Sequence, residues 1–520
     1  MIFRSPHPDF AIPDITVTEF VLRHADRFAD KPALIDGPSC HMLTYGQLAE
    51  GIRRTAVGLA DRGFRKGDVF ATVCPSIPEF ALAFYAAAAL GGATTMLNPV
   101  YTVEELAIQL TDSGARFVLT VPERLEAVRA AAGPNIEEIF VVGEALGATP
   151  FAVLQEFDGE MPSVAISPAE DVALLPYSSG TTGRSKGVML THRNLIATVR
   201  SFQSVDGVAT DDVAATVYPF FHIGGIFNLD VFLSNGATLV IMPRYDLRGF
   251  LQMIEQHRVT RLTLIPPVVL DLARPPIVED FDLSRLKLIH WSAAPMGEDL
   301  AATCRKRLGC RVKQLYGMTE AVPNFVVPTA GEDRPGSAGP LVANTEGKIV
   351  DVTTGAELGP GETGEIWVRG PQVMRGYLNR PDATAETIDA EGWLRTGDIG
   401  CVDADGWLYV VDRLKELIKY NGYQVAPAEL EAILLGHPAV ADCAVIPSPD
   451  ERAGEAPKAF VVLGGPATAE ELMAYVAERV APYKKVRRVE FIDKIPKSAS
   501  GKILRRLLVE RERAAELVPA

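Results

Sequence analysis

The sequence predicts an α/β protein with a large N-terminal domain of two doubly wound sheets plus a small β-barrel, followed by a smaller α+β C-terminal domain. Three observations carry this prediction. At 520 residues the chain is long enough for about three folding units, at ~150 residues each. Helical and strand patterns alternate over the first 320 residues, which implies a largely parallel sheet covered by helices. The texture then changes twice: short strands between Gly, Pro and Asp turns begin near 340, and a new βα pattern begins at 413.

The elements follow in order. Thr44 with Gln47 and Thr102 with Glu105 are capping boxes that start helices. Apolar runs between and after them read as strands: VFATV at 69–73, FVLTV at 117–121, VALLPY at 172–177, ATLVIMP at 237–243, LTLIPP at 262–267 and LKLIHWS at 286–292. The stretch from Phe80 to Val103 carries no charge and is long enough to cross a bilayer. Its many alanines, Gly91-Gly92 and Asn98-Pro99 instead predict a buried helix, a turn and a strand. GKIVD, GEIWVRG and GWLYVVD predict the antiparallel barrel. A third capping box, Thr468 with Glu471, falls in the C-terminal unit.

Composition narrows the function. A net charge of −15 argues against a general nucleic-acid binder, whose footprint is basic. Residues 413–520 carry 17 Lys and Arg against 15 Asp and Glu, so an acidic body precedes a slightly basic end, consistent with separate units. The six cysteines form no CxxC pair and read as reduced cytosolic thiols. MIFRSPHPDFAIPD has no continuous apolar run and is not a signal peptide. A cytoplasmic location and no membrane span are expected.

Chemistry concentrates first in YSSGTTGRSKG at 177–187, a flexible, hydroxylated, doubly cationic loop between an apolar run and a helix start after Thr191. It fails the Walker A spacing, because Ser185 stands where a glycine is required and Gly187 follows Lys186. No GxGxxG precedes the helix, so the dinucleotide reading fails too. Backbone N–H groups from Gly180, Thr181 and Thr182 with Lys186 still suit an anion nest. By itself the loop is equally a plain Ser/Thr/Gly turn.

Four more stretches stand in order behind it: QLYGMTE at 314–320, TGD at 396–398, DRLKELIKYNGYQVAPAELE at 412–431 and PKSASGKILRR at 496–506. Together with YSSGTTGRSKGVMLTH, they closely resemble the signature motifs of the adenylate-forming superfamily, which includes acyl-CoA synthetases, nonribosomal adenylation domains and luciferases. PFFHIGG at 219–225 and KYNGYQVAPAELE resemble the 4-coumarate–CoA ligase-like branch. The resemblance implies an ATP-dependent acid–CoA ligase with ATP, Mg²⁺ and coenzyme A as cofactors and a small-molecule carboxylic acid as partner. It also implies a mobile C-terminal lid: an N-terminal domain at 1–412 (halves at about 1–170 and 171–340, barrel at 341–412), a hinge at 413–416 and a lid at 417–520.

The resemblance also assigns roles. Ser178, Ser179, Gly180, Thr181, Thr182 and Lys186 grip the ATP phosphates. Gln314, Tyr316, Gly317 and Thr319 line the nucleotide, with Tyr316 on adenine and Thr319 on the α-phosphate. Glu320 holds Mg²⁺, a hard cation suited to oxygen ligands. Asp398 takes the ribose hydroxyls, assisted by Arg413. His222 sits at the acyl carboxylate, and Lys502 bridges it to the α-phosphate. Lys415 is the hinge. Lys419 and Gln424 serve the thiolation form, and Arg244, Asn421 and Gly422 line the CoA path.

Departures from the branch fall on Ser185, Asn421 and the acyl pocket, which comprises Gly224, Asn228, Trp291, Ser292, Ala293, Ala294 and Leu315. Gly224 stands where plant enzymes have a Tyr and predicts an opened wall. Trp291 and Leu315 predict a filled region elsewhere. The expected substrate is a hydrophobic acid, aryl or a bulky natural product, rather than simply coumarate. An acyl-AMP ligase loading a carrier protein and a non-catalytic binding homologue remain as alternatives.

Overall fold

The structure, a computed structural model, describes residues 1–178, 185–294, 296–331, 333–421, 423–450, 452–498 and 501–516. Two large sheets organise most of the chain. In one, the strands Val69–Val73, Ala93–Met96, Ala115–Thr120, Glu138–Val141 and Val172–Leu175 pair in parallel. In the other, Val213–Thr216, Thr238–Ile241, Arg261–Leu264, Leu288–Trp291 and Arg311–Met318 do the same. The central ones, such as Val69–Val73, Ala93–Met96, Thr238–Ile241 and Leu288–Trp291, are buried along their whole length, as expected for parallel strands covered on both faces.

Strands cross the sequence division expected near 170 in both directions. Pro32–Asp36 joins the second sheet beside Thr238–Ile241. Val172–Leu175 and Lys186–Thr191 stay with the first. Pairing partners, not chain order, decide sheet membership. The charge-free stretch forms the buried helix Pro78–Ala89, a left-handed turn at Gly91 and the strand Ala93–Met96. Among the described residues no helix is long and apolar enough to cross a membrane.

The expected barrel takes the form of a five-stranded antiparallel sheet in the order Ile2–Arg4, Glu346–Val350, Gly364–Arg369, Leu394–Val402, Leu408–Arg413. Its first strand is the beginning of the chain, too short to announce itself in sequence. All three expected capping boxes are present. A further sheet holds Ile418–Tyr420, Tyr423–Val425, Gly454–Leu463, Val440–Asp450 and Arg488–Phe491, covered by the helix Pro427–Leu435 and the helix Ala469–Ala477.

Candidate active site

The site is assembled where the sheets meet. Tyr177–Ser178 pairs antiparallel with Lys186–Gly187, which sets the two described ends of the phosphate-loop candidate side by side. Ser179, Gly180, Thr181 and Thr182 lie outside the described residues. The strand that carries Lys186 pairs on its other edge with Gly376–Tyr377. Tyr377 is the residue that sequence reasoning missed. Its ring lies under the Lys186 ammonium, 4.6 Å from Nζ to the centroid. Its hydroxyl donates to Glu320 Oε1 at 2.8 Å. One aromatic ring therefore joins the loop cation to the buried Glu320 carboxylate. RGYLN at 375–379 holds no motif residue, so nothing in sequence marked it. Tyr377→Phe removes the hydroxyl and leaves Glu320 one donor short. We expect about a tenfold loss in kcat/KM for the reaction this site serves, in line with a hydrogen bond to a charged group, with thermal stability little changed.

Glu320 and Thr319 form the tip between the strands Arg311–Met318 and Ala321–Val326, which pair antiparallel. A bulge between Tyr316 and Met318 re-aims this segment. There the Cβ of any residue replacing Gly317 would meet Val322 Cγ2 at 2.8 Å. Gln314 pairs with Trp291 across the sheet. Tyr316 donates its hydroxyl to Asp398 Oδ2 at 2.6 Å, and Arg413 Nε lies 3.5 Å from Asp398 Oδ1. Asp398 and Arg413 face each other across paired strands. Burial raises the Asp398 carboxyl pKa, and the Arg413 charge opposes that rise.

Lys502 arrives from the far end of the chain. Gly501 precedes it at φ +76, and a Cβ there would sit 2.8 Å from Ile265 Cδ1, so the turn lies directly on the N-terminal body. Burial, then the Arg413 charge, push the Lys502 ammonium down to about 8, while Asp398, Glu320 and Glu416 hold it up. His222 feels the same cation: burial first, then Lys502, take its imidazole down to about 3. His222 caps the helix Ile223–Ser234 by accepting from Gly224 N at Nδ1, 3.0 Å. A neutral imidazole that accepts at Nδ1 carries its proton on Nε2. That nitrogen is then a donor for a carboxylate.

Two pocket expectations change. Gly224 does not open a wall, because the Tyr218 ring fills the place: a Cβ on Gly224 would lie 2.7 Å from Tyr218 Cδ1. Tyr218 donates its single proton to Leu264 O at 3.1 Å, so its 2.8 Å contact with Ser292 uses the serine hydroxyl as donor. Trp291 is 5% exposed and packs with Ile289, Leu262 and Val268 in the core beneath the helices Leu247–Gln256, Pro266–Ala273 and Glu298–Leu308. Leu315 belongs to the other core, with Phe227 and Ile226. Alternation along the strand Leu288–Trp291 puts His290 against Phe202 and turns Trp291 to the opposite face. The two residues do not share one wall.

Asn228 is fully buried. Its Nδ2 donates to Gly224 O at 2.6 Å, which fixes the amide, and its Oδ1 has no partner among the described residues. Ala293 holds a left-handed φ of +76 and Ala294 follows it in the same bend.

The remaining candidates lie apart. Lys419 is exposed on the hairpin Ile418–Tyr420 and Tyr423–Val425, and its backbone N–H donates to Glu455 at 2.7 Å. Asn421 turns that hairpin at φ +48. Gly422 and the Gln424 side chain lie outside the described residues. Lys415 is exposed in the turn after Arg413, and Arg244 in a bend after Thr238–Ile241. No described hydrogen bond or ion pair ties these residues to the Lys502 cluster. Tyr423 and Tyr483 stack with centroids 4.6 Å apart; nearby, Arg487 lies over the Tyr420 ring and Lys484 is ion-paired with Glu429 at 2.7 Å.

The AMP-binding enzyme model matches residues 21–378, and the AMP-binding enzyme C-terminal domain model matches 429–502. A 4-coumarate–CoA ligase 2 from Nicotiana tabacum is 43% identical, over 97% of this chain and 96% of its own. A 4-coumarate–CoA ligase 5 from Oryza sativa subsp. japonica is 44% identical, over 100% and 98%. The crystal structure of the anthranilate CoA ligase AuaEII in complex with anthranoyl-AMP superposes with a TM-score of 0.91 at 27% identity, over 98% of this chain and 99% of that one.

Proposed function

The chain belongs to the AMP-binding enzyme family and is an AMP-forming acid–CoA ligase; from that premise we propose the roles of its residues and the class of its acid. The observation that carries the residue roles is the Tyr316–Asp398–Arg413 contact, with the Lys502 turn packed on Ile265 of the N-terminal body and the Lys502 charge coupled to Asp398, Arg413, Glu320 and His222. In the first half-reaction a carboxylate oxygen of the acid attacks the α-phosphorus of ATP. The α–β phosphoanhydride bond breaks and pyrophosphate leaves. Lys502 draws the two anions together, and the His222 Nε2–H orients the carboxylate. Lys186 meets the departing phosphates, while Tyr316, Asp398 and Arg413 hold the nucleoside. Fixed charges of this kind act on the developing transition state without reorganising. No group of three or more His, Cys, Asp or Glu able to hold a metal occurs among the described residues. Glu320 is a buried carboxylate with Tyr377 on one oxygen, an oxygen donor of the kind that would suit Mg²⁺, a cation that commonly has one or two protein carboxylates, waters and substrate phosphates as ligands. When bound, the ion neutralises phosphate charge.

In the second half-reaction the CoA sulfur attacks the acyl carbon, AMP leaves and the thiol proton passes to solvent. Lys419, Gln424, Asn421, Gly422 and Arg244 are assigned to this step, after rotation about Lys415. The stacked Tyr423 and Tyr483 suit the base of CoA, since any base presents a π-face. CoA is the thiol that both ligase relatives name, and a carrier protein has no comparable support. The six cysteines are all free, which supports a reducing compartment, proposed here to be the cytoplasm.

The acid is hydrophobic, aryl or a bulky natural product, and we assign it a distal hydrogen-bond donor for Asn228 Oδ1. A site built to bond a substrate hydroxyl discriminates strongly against the analogue lacking it, because its buried acceptor is left unpaired. A panel of aryl and larger acids, with ATP and Mg²⁺, followed by pyrophosphate release with and without CoA, tests both claims. Hydroxylated acids should exceed their unsubstituted analogues at least tenfold in kcat/KM, and Asn228→Leu should erase the difference. Equal rates for both acids in both proteins would sink the Asn228 assignment. Pyrophosphate release with no acid consumed would sink the ligase reading.

A further inference from the structure

We propose that Asp412 and Arg274 are positioning residues that clamp the two ends of the helix Pro427–Leu435 and so hold Lys502 in its adenylating position. The proposal rests on the domain alternation given above, which it deepens.

The helix is poorly terminated by its own sequence. Its N-cap is Ala426, which supplies no side-chain acceptor, and Pro427 has no N–H to offer. No basic residue lies in its last turn. Four N–H and four C=O groups at any helix end lack intrahelical partners, and a carboxylate at the first turn or a cation at the last is stabilising. Both are supplied from elsewhere. Asp412 Oδ2 accepts from Ala428 N at 2.8 Å, while its Oδ1 accepts from Arg413 N at 2.7 Å. Arg274 Nη2 donates to Leu435 O at 2.9 Å. Acid meets the positive end and guanidinium the negative end.

Both clamping residues precede the turn at Lys415, and both clamped groups follow it. Asp412 ends the strand Leu408–Arg413 and is 5% exposed; Arg274 caps the helix Pro266–Ala273. That same helix lies under the Lys502 turn, with Ile265 and Pro267 against Gly501. Between the two clamps, Ala432 approaches Gly297 of the N-terminal body. Within the C-terminal unit, Arg505 grips Glu431 of the clamped helix at 2.6 Å and Glu416 beside the hinge. Arg505 lies three residues from Lys502, so the clamped helix and the lysine are tied together. Rotation about Lys415 has to break both clamps at once. They therefore belong to this arrangement alone and favour the half-reaction that needs Lys502.

The test separates the half-reactions in the full-length enzyme. Asp412→Ala and Arg274→Ala should each lower pyrophosphate release without CoA by about five- to tenfold, and together by more. Transfer of a supplied acyl-AMP to CoA should be unchanged or faster. Asp412→Asn keeps an acceptor oxygen and should restore part of the loss. Equal losses in both half-reactions, or no loss in either, would overturn the clamp. Should Asp412→Ala fold badly, the exposed Arg274→Ala decides the matter alone. Lys502→Ala run in the same assays tests the premise: if it fails to split the half-reactions, domain alternation is wrong; if it splits them and the clamp variants do not, only the clamp is wrong.

Discussion

Lys502→Ala is expected to lower acyl-adenylate formation by about 10²–10³, the usual cost of removing one preorganised charge from a developing anion, while transfer of supplied acyl-AMP to CoA is largely spared. The group acts protonated. Burial and Arg413 bring its pKa to about 8, so the charge is present below that pH and lost as pH rises through it. kcat/KM for the first half-reaction, which reports the free enzyme, should therefore fall above about pH 8. His222, held down to about 3 by burial and the same lysine, stays neutral through the working range and adds no limb there. Lys502→Arg should retain part of the rate and flatten the alkaline limb, since a guanidinium does not titrate in that window. A limb near 8 that survives in Lys502→Arg would assign the titration to another group, and adenylation unaffected by Lys502→Ala would remove the lysine from the mechanism.

The strands and helices were legible because each is short, apolar and bounded by turn or capping residues that act locally. Thr44, Thr102 and Thr468 announced their helices within four residues. Interactions between distant segments were legible only where a motif marked both partners. Tyr377 meets Glu320 across 57 residues and Lys186 across 191, with no periodicity to mark it. Ile2–Arg4 becomes a sheet strand only because Glu346–Val350 offers it an edge. The acyl pocket failed for a similar reason. Reading Gly224 as a missing ring ignored which neighbour would fill the space, and Tyr218, six positions earlier, does so. Trp291 stands at a pocket position of the motif, yet strand alternation turns it into the core with Ile289, Leu262 and Val268. Substitution at a motif position indicates what is lost there; packing decides what replaces it.

Asp398→Ala should carry the other large effect, on ATP. A carboxylate offers about four lone-pair sites. Tyr316 takes one at 2.6 Å, Arg413 faces another oxygen at 3.5 Å, and two sites remain for a pair of ribose hydroxyls. Losing two hydrogen bonds to a charged acceptor amounts to about 3–6 kcal/mol, on the order of 10²–10⁴ in kcat/KM for ATP. A second consequence separates charge from hydrogen bonding. Asp398 helps to keep Lys502 protonated against burial and Arg413. Without it the lysine releases its proton more readily, so the alkaline limb of the first half-reaction should move below pH 8. Asp398→Asn preserves shape and one acceptor oxygen but removes the charge. It should shift the limb as Asp398→Ala does while weakening ATP less. An unchanged KM for ATP in Asp398→Ala would withdraw the ribose assignment, and a limb that stays in place in both variants would show that Lys502 is not under the control of this carboxylate.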